Sequence, residues 1–278
     1  MGNGKVKQAI IISDLHAGCQ FGLCPSSDIP LDGGGYYKPS LLQKKVWSWW
    51  EEFWKEWVPR VTRDQPYIVI INGDTTDGRH HGAVTQISQN LSDQKTIARL
   101  ILQPIVAQCE GRFFMIRGTE THVGASGENE ESLARELDAI PDETGNHSRW
   151  EMWLRLGDRL AHITHHIGMS QSMAYETTAP MREYDIACSE AARWGYPRPD
   201  ICIRSHRHRH SETKVPTAQG DGICTVTPGW QLRTPFIFRL MGKNLLPQFG
   251  GILWRVGDEE HYTRHFIRNI TRTPEVVL

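Results

Sequence analysis

Five short apolar runs in this chain each stop at residues able to bind a metal. The first, Gln8–Ser13 (QAIIIS), leads into Asp14-Leu15-His16, and the second, Tyr67–Asn72 (YIVIIN), into Gly73-Asp74-Thr75-Thr76-Asp77. Arg112–Arg117 (RFFMIR) precedes Gly118-Thr119-Glu120-Thr121-His122, Arg159–Thr164 (RLAHIT) precedes His165-His166, and Asp200–Arg204 (DICIR) precedes Ser205-His206-Arg207-His208-Arg209-His210. Runs of this length bounded by turn residues predict buried strands, and ligand sites assemble where the carboxyl ends of neighbouring strands meet. Each motif alone has a plain explanation as a turn, an ordinary strand exit or an exposed edge. Their recurrence at one position along the strand has none, and it predicts a metal site. Alternate side chains of an extended segment share a face, so Asp-x-His and His-x-His each offer two ligands to one centre. Roughly seven or eight ligands exceed the usual complement of one ion, which predicts two ions sharing a carboxylate. Carboxylates and imidazoles without thiolates suit Mn2+, Fe2+, Zn2+ or Ni2+ better than a structural zinc.

Between the runs the pattern alternates with helices. Leu41–Val58 places Val46, Trp50, Phe53 and Trp57 on one face and stops at Pro59; Gln86–Cys109, Glu128–Ile140 and Met181–Trp194 are also predicted helical. Trp50, Phe53 and Trp57 read as core, whereas Trp49 and Trp54 fall off that line and suit a partner surface. Residues 20–40 are rich in Gly, Pro, Ser and Asp and form a long loop, whose Gly33–Tyr37 stretch is expected to reach over the site. After His210, Gly222–Thr227, Gly251–Arg255 and His261–Ile270 are expected as antiparallel strands. The whole predicts an α/β fold with two sheets and flanking helices, as a single domain over 1–278. The 20–40 loop and the Trp-rich 41–59 helix are its candidate accessory insertion.

Composition narrows the function classes. A hydrophobic fraction of 39% with 23% charged residues argues against disorder, and a net charge of −1 excludes nucleic-acid binding by bulk electrostatics. No apolar run nears the roughly 20 residues that span a bilayer, and no signal peptide is visible. Met1-Gly2 lacks the Ser or Thr that myristoylation wants, Lys7 standing nearby, and the six cysteines show neither C-x-x-C nor zinc spacing. A soluble, cytoplasmic protein with no membrane partner is expected. Thirteen histidines remain conspicuous, and six of them (16, 122, 165, 166, 206 and 208) lie in the strand-end motifs.

In order and spacing, D-x-H, G-D-x-x-D, a Gly-led third motif, a strand-end His and H-x-H resemble the calcineurin-like metallophosphoesterase superfamily, over about residues 8–210. The resemblance implies a four-layer α/β/β/α sandwich of two mixed sheets with a dinuclear site between them. It implies Asp14, His16 and His208 on one metal, Asp74 bridging, and His165 and His206 on the second, with Asp77 in a supporting role. Which of His165 and His166 ligates stays open, because strand alternation lets only one face the site.

The third motif departs from the family's Gly-Asn-His. Glu120, or Thr119 through its hydroxyl, is expected to replace the Asn as metal ligand, with His122 catalytic beside Asp74. Ser205 stands where the family usually has Gly. Arg117 and Arg207, with Arg204 and Arg209, lie beside motif residues as candidate phosphate clamps, against a competing role in surface solvation. The implied cofactors are two divalent ions, Mn2+ first and Fe, Ni or Zn as alternatives. The implied activity is hydrolysis of a phosphate ester by a hydroxide the ions generate near neutral pH, leaning to phosphodiesters of nucleotides or nucleic acid. A phosphomonoesterase or protein phosphatase, or a non-catalytic scaffold on the same fold, are the alternatives.

Overall fold

The computed structural model describes residues 6–80, 82–169, 172–218, 220–235, 237–238 and 246–270; Met1-Gly2 and His81 lie outside these. Strands run in chain order as β1 (Gln8–Ile12), β2 (Ile29–Pro30), β3 (Tyr36–Tyr37), β4 (Ile68–Asn72), β5 (Phe113–Ile116), β6 (Ser148–Arg149), β7 (Glu151–Leu156), β8 (Arg159–Thr164), β9 (Ile201–Arg204), β10 (Ser211–Val215), β11 (Gly222–Val226), β12 (Gln248–Val256) and β13 (His261–Asn269). The helices are α1 (Leu41–Glu52), α2 (Val58–Thr62), α3 (Leu91–Gln108), α4 (Glu120–Val123), α5 (Glu128–Glu136) and α6 (Thr178–Trp194).

Two mixed sheets form, one ordered β13-β12-β1-β4-β5-β6 and the other β10-β11-β9-β8-β7. In the first, β1, β4, β5 and β6 are mutually parallel. In the second, β8, β9 and β11 are parallel. Strands such as β1 and β4 are unbroken apolar runs because both faces are covered. Ala9, Ile11, Ile68 and Ile70 face Ile163, Ile201, Ile203 and Ile223 of the opposite sheet. Ile10, Ile12, Val69 and Ile71 turn the other way, onto α1 and α3. On the far side of the second sheet, Cys202 and Cys224 pack against Tyr184 of α6. The result is the expected four-layer α/β/β/α sandwich. Each fully buried Ile or Leu side chain contributes on the order of 1.5–3 kcal/mol.

Three local expectations need correction. The helix from Leu41 runs through Pro59, because a π-turn over Phe53–Trp57 resets the ladder before α2. Pro59 has no N–H to give the Trp54 carbonyl, which instead accepts from Gln108 Nε2 at 3.4 Å. The wider π-turn also rotates Trp54 inward, so it is core, only 4% exposed. Second, β11 is antiparallel to β10, as expected, but parallel to β9 on its other side. Third, the 20–40 segment carries the small β2–β3 hairpin, tied by Asp32 to Asp93 and Asn90 of the α3 N-terminus and by Tyr37 to Gln43 of α1. No helix among the described residues is long and apolar enough to cross a membrane.

Candidate metal centre

The loops leaving β1 and β4 run side by side: Asp14 N–H donates to the Gly73 carbonyl, His16 N–H to Asp74 and Ala17 N–H to Thr75. This pairing brings Asp14 and Asp74 under the parallel strand ends. Gly73 and Gly118 permit the approach, because a Cβ on Gly118 would lie 2.1 Å from Asp74 Oδ1 and one on Gly73 would lie 2.4 Å from His165 Nδ1. Beneath the loops runs a buried polar chain that links the two sheets. Asn72 Nδ2 donates to Ser205 Oγ at 2.7 Å, Ser205 and Ser13 each bond Thr227 Oγ1 at 2.7 Å, and Ser13 Oγ donates to Asp14 Oδ2. Ser205 is therefore a hydrogen-bonding member of that chain.

Two groups of side chains gather above that chain. Asp14, His16 and His208 form the first, with His208 Nε2 at 3.2 Å from both Asp14 Oδ1 and His16 Nε2. Asp74, His165 and His206 form the second, with His165 Nε2 at 3.0 Å and His206 Nδ1 at 4.0 Å from Asp74 Oδ2. Asp74 also groups with His16 and His122, so it stands between the two sets. His165 donates Nδ1–H to the Asn72 carbonyl at 2.7 Å, which points Nε2 at the centre, while His166 is exposed. Asp77 sits behind His16, 3.4 Å from its Nδ1, and is held by Gln86 at 2.9 Å.

The donor set fits divalent cations. Atoms bound about 2.1 Å from one ion lie roughly 3.0–3.4 Å apart, the spacing of the closest pairs here. Asp14 Oδ1 is buried without a hydrogen bond, and such a carboxylate oxygen is costly unless a cation meets it. Burial opposes charge on Asp14 and Asp74, yet nearby imidazoles hold both carboxyls below their ordinary range. Burial likewise opposes charge on His165, but Asp74 and Asp14 lift it to about 10. Burial, reinforced by the charge of His165, takes His206 down to about 4. Ionised carboxylates beside imidazoles make a donor set suited to a divalent ion, which would take the place of the proton His165 holds at neutral pH.

The third motif separates its two candidates for the inward position. Glu120 begins the one-turn α4 and is exposed, lining a groove with Arg79, His80, Glu128 and Asn129. Thr119 takes the inward position: its N–H donates to Asp74 Oδ1 at 2.7 Å, and its hydroxyl lies 3.2 Å from Asp74 Oδ2 and from His206 Nδ1. His122 donates Nδ1–H to the Asp77 carbonyl at 2.6 Å, and burial takes its imidazole to about 4, leaving Nε2 as an acceptor. The candidate arginine clamps are occupied elsewhere. Arg117 binds Ser148 and Glu131, Arg207 binds the Gly168 and Glu176 carbonyls, Arg204 binds Glu183, and Arg209 binds Glu176.

One participant carries no signal in the motifs. Glu130, fully buried on α5, accepts from Thr75 N–H and Gly118 N–H at 2.8 Å each, joining the loops of the second and third motifs. Burial and the Asp74 charge push its carboxyl up to about 7. Only its place in an acidic helix start hinted that a carboxylate would meet backbone amides there.

No protein-family model and no curated protein matches this chain. Among solved structures it is similar to Vacuolar Protein Sorting 29 from Cryptosporidium parvum, at 10% identity and a TM-score of 0.36, covering 96% of this chain and 100% of that one. It is also similar to protein TM1076 from Thermotoga maritima, at 11% identity and a TM-score of 0.38, covering 95% and 100%. Likeness this distant leaves the function to be derived from the centre itself.

Proposed function

We propose that the protein is a dinuclear metal-dependent phosphoesterase, acting on phosphodiesters of the nucleotide or nucleic-acid kind. One observation carries this: two three-residue sets of carboxylate and imidazole atoms stand side by side at ligand spacing on the ends of parallel strands from two sheets, with Asp74 of one also grouped with His16 of the other. Asp14, His16 and His208 would hold one ion, Asp74 would serve both, and His165 and His206 would hold the other, with the Thr119 hydroxyl beside them. Bound divalent cations, Mn2+ first among them, supply a water of lowered pKa and neutralise phosphate oxygens. Asp77 and the Asn72 carbonyl orient His16 and His165, fixing which ring nitrogen faces inward. His122, with Nδ1–H given to Asp77, offers Nε2 to accept a proton or hold a water against the substrate. Arg79, exposed in the groove beside His80 and held through Nε by the Gln89 carbonyl, would offer its remaining guanidinium N–H groups to a second phosphate substituent.

Hydrolysis of bis(p-nitrophenyl) phosphate, p-nitrophenyl phosphate, cyclic nucleotides and single-stranded DNA, measured in parallel with Mn2+ and after chelation, tests the proposal. Metal-dependent cleavage of the diester, at least 10³-fold lower in Asp74→Asn with circular dichroism unchanged, is the expected result. Preference for the monoester would overturn the diester assignment. No turnover with Mn2+, Ni2+, Co2+ or Zn2+, in protein that binds no metal, would leave the non-catalytic scaffold.

A further inference from the structure

The second cluster of metal-capable side chains lies away from the proposed centre. His210, at the start of β10, Glu212 on β10 and His265 on β13 bring one ligand atom each to within 4.8 Å of one another. β10 is the edge strand of one sheet and β13 the edge strand of the other. The cluster therefore spans one side of the sandwich, where neither strand has a further neighbour among the described residues.

We propose that His210, Glu212 and His265 form a separate site for Zn2+ or a similar divalent ion, which clips the two sheet edges together. The supporting contacts already have the form that metal ligands require. His210 donates Nδ1–H to the Val226 carbonyl at 2.9 Å, which fixes the tautomer and frees Nε2. Thr263 Oγ1 donates to Glu212 Oε2 at 2.6 Å and aims the carboxylate. His265 Nε2 approaches that oxygen at 3.1 Å, and the two imidazole rings lie 4.0 Å apart, tilted by 40°. A hydrogen-bonded pair of His265 and Glu212 needs no third member, yet His210 turns its ring onto His265. Two imidazoles and one carboxylate are a complete protein ligand set for zinc with one position left open. Open sheet edges invite pairing with other chains, and an ion across both closes this side.

The proposal is independent of phosphoesterase activity and is read by ion count. Metal-stripped full-length protein is dialysed to equilibrium against Zn2+, and bound zinc per chain is measured. Wild type is expected to hold one ion more than His265→Ala and one more than Glu212→Gln; the latter keeps an oxygen for Thr263 and guards against loss of folding. Asp74→Asn should lose zinc from the proposed centre and keep the edge ion. In that background zinc should still raise the melting temperature, and addition of His265→Ala should make the rise smaller. Equal zinc content in wild type and both edge variants, or a zinc-induced rise that His265→Ala leaves undiminished in the Asp74→Asn background, would overturn the edge site. An inactive enzyme would leave the count unchanged, so failure of the two proposals is distinguishable.

Discussion

Asp14, His16, Asp74, His206 and His208 all hold backbones with φ between +45° and +71°, a region that side-chain-bearing residues rarely adopt. Such conformations cost on the order of 1–2 kcal/mol each and persist where the surroundings over-determine them, which is chiefly at working sites. The sharp turns let one short loop aim Asp14 and His16 into one ligand set, and another aim His206 and His208 into two adjacent sets, although strand alternation has ended. A direct consequence concerns His208, with φ +53°. His208→Gly is expected to be more stable than His208→Ala by about 1 kcal/mol, because only the alanine keeps a Cβ in the left-handed region. Urea unfolding of the metal-free variants measures the difference. Both should lose activity alike; an alanine variant as stable as the glycine would show that the turn is unstrained.

At the scale of elements, a half-buried carboxylate can hold a short strand as well as ladder hydrogen bonds do. β6 has two residues, and Glu131 of α5 accepts from His147 N–H, Ser148 N–H and Ser148 Oγ at 2.8–3.0 Å, with Arg135 and Arg117 beside it. Burial opposes its charge, but Arg135 and these donors bring the carboxyl down to about 2. A carboxyl whose folded value is depressed adds stability above its unfolded value, near 4.5, and loses that contribution as pH falls towards 2. Wild type should exceed Glu131→Gln by about 2 kcal/mol at pH 7, the usual worth of hydrogen bonds to a charged acceptor. The gap should close between pH 4.5 and 2 in denaturant titrations run at each pH. A gap independent of pH would remove the ionised carboxylate from this role.

For the molecule as a whole, legibility tracked burial. The strands β1, β4, β5 and β9 could be read because both faces are covered, and the polar residues at their carboxyl ends could therefore be placed at the centre. Thr119 and Glu120 could not be told apart, because a four-residue helix leaves no periodicity and it alone turns Glu120 outward. Trp54 was misplaced because a π-turn changes the phase that helical spacing assumes. Strand direction was hidden in β11, since apolar pattern is blind to direction. Glu130, which joins the loops, was hidden among acidic neighbours.

The same architecture concentrates negative charge. Asp14, Asp74 and Asp77 are at most 1% exposed and lie around one centre, with strained turns beneath them. Cations bound there favour the folded chain by mass action, because the unfolded chain offers no such arrangement. At roughly 100 times the dissociation constant each ion adds about 2.7 kcal/mol, and at about 2 °C per kcal/mol for a large domain this raises the melting temperature by roughly 5 °C per site. Scanning with Mn2+ against excess chelator measures the rise. In Asp74→Asn it should shrink, since Asp74 belongs to one ligand set and groups with His16 of the other. His265→Ala should retain the Mn2+ effect, because the edge cluster shares no residue with the centre. An unchanged melting temperature on adding Mn2+ to wild type would mean that the carboxylates are balanced by histidine protons alone, and the dinuclear proposal would fail with it.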